Sequence, residues 1–161
     1  MGKPEYDIQK DTEATSHLIP GLAEIRSLYQ EYLDGAERAE REHRPGDGLF
    51  GLGKKPSDDP CHERFSNALE TALRDFAARG PDSPQIREVL SHIYRAPVEH
   101  RKPMSAYWML NAVHGFTLDL IGRLNADDAA ALFASYAKSF SRRERLPVQQ
   151  QVYAALKRAA K

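Results

Sequence analysis

The sequence predicts an all-α protein, a single-domain bundle of about five to six helices around a central apolar helix at about 104–124. Apolar residues recur with a period near 3.6 in almost every segment, and no run alternates as a half-buried strand would. Pro, Asp, Ser and Gly stand where such helices should start and stop. The 161 residues, 41% hydrophobic and 29% charged, suffice for one buried core and do not have the composition of a disordered chain.

Residues 1–20 read as a polar arm or a short helix, and 21–161 as the bundle. Leu22, Ile25, Leu28, Tyr29, Tyr32, Leu33 and Ala36 form the stripe of a first amphipathic helix. Between Arg44 and Pro60, four Gly and three Pro without periodicity predict a loop. Asp58 or Asp59 can cap the second helix, Pro60 fits its first turn, and Gly80 ends it. Its inward face is Phe65, Ala68, Leu69, Ala72, Leu73 and Phe76.

The third helix is expected to start with Ser83 as cap and Pro84 behind it. It buries Ile86, Val89, Leu90 and Ile93 and stops at Ala96-Pro97, because proline disrupts a helix interior. The central helix carries Met109, Val113, Phe116, Leu120 and Leu124 on one face and Trp108, Leu118 and Ile121 on the other. A helix apolar nearly all round is packed on several sides. Asn125 caps the next, which runs through Leu132, Phe133, Tyr136 and Phe140, and Pro147 opens the last, with Val148, Val152, Ala155 and Leu156 inward. No fixed repeat is present, which argues against a solenoid.

"GLFGLGKK", residues 48–55, has the outline of a phosphate loop but not its context. No strand precedes it, Lys55 stands where a hydroxyl should reach magnesium, and Pro56 follows. Leu49, Phe50 and Leu52 are instead expected to fasten a connection onto the bundle. Cys61, His62, His92 and His114 lack the spacing of metal ligands, so neither metal nor cofactor is expected. No nucleophile arrangement has a local signature, and an enzyme is the less favoured reading.

Two groups of residues remain. Tyr107, Asn111 and His114 fall at i, i+4 and i+7 on the central helix, so they share one face and form a candidate pocket wall, with His114 able to carry a proton. The alternative for this face is internal hydrogen bonding. At the other end, Arg142, Arg143 and Arg145 are candidate phosphate contacts and Gln149 and Gln150 candidate base contacts of a helix pair. Residues 1–40 hold four Lys/Arg against nine Asp/Glu, and residues 135–161 seven against one. The whole chain has net charge zero and pI near 7.0, so nucleic acid is not the favoured partner.

The single cysteine excludes an internal disulfide. No apolar run suits a membrane span, and the opening residues do not resemble a signal peptide, so a cytoplasmic location is expected. The favoured role is binding, to a protein partner or to a second copy, with Tyr29, Tyr32, Tyr136 and Tyr153 as candidate anchors. Nucleic-acid binding at the basic end and a ligand or enzymatic role at the central polar face are the alternatives.

Overall fold

The computed structural model describes residues 19–42 and 60–161, and every regular element within them is helical. In chain order these are α1 (Leu22–Glu42), α2 (Pro60–Ala78), α3 (Ser83–Glu99), α4 (Met104–Ala112), a 3₁₀ stretch (Val113–Thr117), α5 (Leu118–Ile121), α6 (Ala126–Ser139) and α7 (Pro147–Ala159). With α4, the 3₁₀ stretch and α5 taken as one broken rod, six rods form an all-α bundle. The phosphate-loop outline at 48–55 and the candidate caps Asp58 and Asp59 lie outside the described residues.

Periodicity explains the packing. Leu22, Ile25, Leu69, Ile86, Leu90, Leu110 and Leu156 are fully buried and belong to one continuous apolar cluster. α1 packs on α2, and α6 packs on both α3 and α7. Each large apolar side chain so covered contributes roughly 1.5–3 kcal/mol before chain entropy is set against it. Gly80 ends α2 at φ 67°, a left-handed conformation that favours glycine.

The central rod departs from the expected continuous helix at 104–124. Its middle tightens to 3₁₀ over Val113–Thr117, where Thr117 Oγ1 donates to the His114 carbonyl at 2.7 Å, an i to i−3 bond that matches the tighter winding. Gly115 sits in this stretch, and a Cβ there would lie 3.2 Å from Val148 Cγ2. The glycine therefore admits α7 at close range. Trp108 does not pack inside as its place on the wheel suggested. It stands 52% exposed, with Tyr107 edge-on at 6.2 Å.

Two further boundaries differ from expectation. Asp82, not Ser83, caps α3: its side chain accepts from the Gln85 amide at 2.9 Å, and Gln85 Oε1 accepts from the Asp82 amide at 3.1 Å. α3 also continues through Pro97 to Glu99. A proline so near the helix end removes one N–H bond and leaves the Ile93 carbonyl without its helical donor.

Ser83 instead helps tie α3 to α6. Its hydroxyl donates to Asp128 Oδ2 at 2.6 Å and accepts from the Asn125 amide at 2.9 Å. Arg87 Nη1 donates to Asp128 Oδ1 at 2.8 Å. Asn125 caps α6 as expected, accepting from the Asp128 amide at 2.8 Å. Asp128 is only 6% exposed, so removing it leaves half-covered donors without an acceptor. We expect Asp128→Ala to lower unfolding free energy by about 2 kcal/mol, and Asp128→Asn by less; urea titration at neutral pH checks both.

Candidate functional site

The polar face of the central rod turns inward. Asn111 and His114 are fully buried, and Tyr107 is half-buried. Asn111 Nδ2 donates to the Tyr107 carbonyl at 2.6 Å, and Asn111 Oδ1 accepts a short hydrogen bond from Gln149 Nε2. Gln149 Oε1 accepts from the Leu146 amide at 2.9 Å, satisfying a donor where α7 begins. One amide pair thus fastens α4 to the start of α7.

His114 belongs to a second network. Its Nδ1 lies 3.0 Å from the Tyr136 hydroxyl, and Tyr94 shares a 2.7 Å hydrogen bond with Thr117 Oγ1. The rings of Tyr94, Tyr136 and Phe140 surround the imidazole with centroids 5.1–5.7 Å away. His114 Nε2 has no hydrogen-bond partner of acceptable geometry. Burial lowers the His114 pKa to about 3, and the Ile93 backbone pulls the other way. The imidazole is therefore neutral at physiological pH, held away from the range of a neutral-pH proton carrier. Burial raises the pKa values of Tyr94 and Tyr136 well above the ordinary phenol value.

None of Tyr107, Asn111 and His114 lines the cleft of about 270 Å³ bounded by α1, α3 and α6. Tyr94 and Tyr136 form part of its wall, with Arg26, Arg95 and Ser135 among its polar residues. Sequence reading did not bring these groups together, since they come from three separate helices. The legible signals were the i, i+4 pairs Ser91/Arg95 and Ser135/Ser139.

The four residues considered as metal ligands face different partners. His62 Nδ1 meets the Tyr32 hydroxyl at 2.5 Å, His92 packs edge-on against Tyr29 at 5.1 Å, and Cys61 approaches Gly35. Among the described residues no three His, Cys, Asp or Glu side chains are placed to share a metal ion.

The basic end is divided. Gln149 is 1% exposed and bonded to Asn111, so it has no free edge to offer a base. Arg145 Nε donates to the Phe140 carbonyl at 2.9 Å, its Nη1 to Gln150 Oε1 at 3.3 Å, and its guanidinium covers the Tyr153 ring at 3.7 Å. Packing and internal bonding account for that arginine. Arg142 and Arg143 face solvent, as the capping turn of a helix pair allows.

The tyrosines considered as partner anchors are also largely internal: Tyr29, Tyr32 and Tyr136 are at most 2% exposed. The exposed large apolar side chains among the described residues are Val98, Met104 and Trp108, at 38%, 62% and 52%. Met104 and Trp108 are i, i+4 on α4 and so adjoin on one face. Val98 lies in the last turn of α3, before the short connection from His100 to Pro103. Between Val98 and Met104 in the sequence stand the exposed side chains of Glu99, Arg101 and Lys102.

No family model, curated protein or solved structure matches the chain. No helix among the described residues is long and apolar enough to cross a membrane.

Proposed function

We propose that the protein works by binding another protein through the corner formed by the end of α3 and the start of α4. The observation that carries this reading is the grouping of Val98, Met104 and Trp108. The exposed large apolar side chains of the described residues fall within one short stretch of the sequence, at the end of α3 and the start of α4. Scattered single apolar residues need no explanation, but a grouped Trp and Met do. Tryptophan provides a large, rigid contact area, and methionine adapts to the shape it meets.

The rim argues for the kind of partner. Arg101 and Lys102 outnumber Glu99, so a second copy seated face to face would bring like charges together. A partner with an apolar anchor and acidic flanks gains from the same charges. No bond is made or broken at such a corner, and no cofactor is called for.

A photo-crosslinking side chain introduced at position 104, with one at exposed Gln151 as control, tests the reading in intact cells. The expected result is a heterologous protein adduct from position 104 and not from 151. Trp108→Ala should remove that adduct while changing stability by no more than about 0.5 kcal/mol, as for other surface substitutions. Adducts within the same chain, adducts to a second copy, or equal capture from both positions would overturn it.

A further inference from the structure

The cleft between α1, α3 and α6 gathers donors that the α3–α4 corner does not use. Ser91 and Arg95 are one turn apart on α3, and Ser135 and Ser139 one turn apart on α6. Arg26 of α1 completes the polar wall. Two short i, i+4 pairs on neighbouring helices thus border one space, and a third helix adds a second guanidinium.

Arg95 Nε donates to the Ser91 carbonyl at 3.3 Å, which turns the guanidinium back along α3. Guanidinium groups only donate hydrogen bonds, and serine hydroxyls can donate as well. Such groups suit an oxyanion, which accepts at every oxygen. Both guanidiniums act on the same neighbourhood: His92, next to Ser91, has its pKa pushed down to about 4, first by burial and then by Arg26 and Arg95. Among the described residues of the lining the acid is Glu88, which is drawn toward Arg87 at 3.6 Å.

The remaining wall is apolar or aromatic. Leu132, Tyr94, Tyr136 and Phe140 are buried side chains whose cleft-facing surface suits a short hydrocarbon or aromatic body. The hydroxyls of Tyr94 and Tyr136 are already engaged with Thr117 and His114. The space of about 270 Å³ lies just below the roughly 300–1,000 Å³ usual for drug-sized ligands, which sets a small occupant.

We propose that this cleft is a binding site for a small organic oxyanion, a carboxylate or phosphate monoester with a short apolar body, held by Arg26, Arg95 and the serine hydroxyls of α3 and α6. The site is separate from the Val98–Trp108 corner and stands without it.

Amide NMR titration of the full chain with phenyl phosphate and with benzoate tests the proposal. Benzyl alcohol and sodium chloride at matched ionic strength serve as controls. The expected result is a saturable shift of the Ser91, Ser135 and Ser139 amides with at least one oxyanion and with neither control. Response to phenyl phosphate alone assigns a phosphate ester, and response to benzoate alone assigns a carboxylate. Arg95→Gln, at an exposed position, should weaken binding about tenfold, the scale of one hydrogen bond to a charged group. Ser135→Asp, also exposed, should abolish it with an unchanged melting temperature. No saturable shift, an equal shift with benzyl alcohol, or unchanged affinity in both variants would overturn the proposal.

Discussion

Asn111→Leu is expected to destabilise the fold by about 3 kcal/mol, while Asn111→Leu combined with Gln149→Met loses less than the two single changes added together. In the single variant the Gln149 amide keeps its burial but loses its acceptor, and the bond from Asn111 Nδ2 to the Tyr107 carbonyl goes as well. Leaving a buried donor unmet costs about 1–3 kcal/mol. Gln149→Met alone strands Asn111 Oδ1 and frees the Leu146 amide that opens α7, for about 2 kcal/mol. Replacing both amides by apolar groups of similar shape removes the stranded atoms together. A double-mutant cycle in urea should therefore return a coupling of about 1–2 kcal/mol. Strict additivity would mean that the two amides do not act as a pair.

The second large effect is on acid stability. His114 has an ordinary pKa of 6.5, and burial lowers it to about 3 in the fold. Below pH 6.5 the unfolded chain takes up a proton at this position that the folded chain refuses until about pH 3. Stability is therefore complete above pH 6.5 and falls as pH drops, by about 1.4 kcal/mol per pH unit. His92, lowered to about 4 by burial and by Arg26 and Arg95, acts in the same direction. His114→Gln does not titrate and can still meet the Tyr136 hydroxyl. It should start less stable at pH 7.5 and then show a shallower decline between pH 6 and 4.5. The expected difference in slope is about 1.4 kcal/mol per pH unit. Parallel slopes in urea titrations of the two proteins would show that His114 is protonated in the fold.

Much of the bundle was legible because its cues are local. Asn125 caps α6, Gly80 closes α2, and Pro147 opens α7, as an amide side chain, the lack of a Cβ and a fixed φ respectively favour. Each of these cues acts within a few residues. Less was legible where a tertiary contact decides between neighbours. Ser83 can cap a helix, but Asp128 and Asn125 engage its hydroxyl, and Asp82 takes the cap. Five residues at 113–117 are too few for a period of 3.0 to be told from 3.6, so the break in the central rod left no mark in the pattern.

The same limit governs the sites. The polar face of Tyr107, Asn111 and His114 was visible, but a helical wheel does not say what faces it. The partner of Asn111 did leave a signal: Gln149 shares a stripe with Val152 and Leu156, both fully buried. Its burial could be read from that spacing. Trp108 was misplaced because hydrophobicity was taken as burial, a rule that holds only in one direction. The cleft depends on three helices meeting, and no local period encodes such a meeting.

The close approach of Gly115 to Val148 also constrains how this fold can change through descent. A methyl group at 115 asks Val148 to yield by a few tenths of an ångström, and a larger side chain asks α7 to move away. Moving α7 would pull Gln149 from Asn111, because Val148 and Gln149 are consecutive. The tolerated route is a paired change, with a larger residue at 115 matched by a smaller one at 148. Two positions thirty-three residues apart should thus be inherited as a unit. Related chains whose overall sequences have diverged widely are expected to keep that trade in size, and with it a means of recognising their kinship.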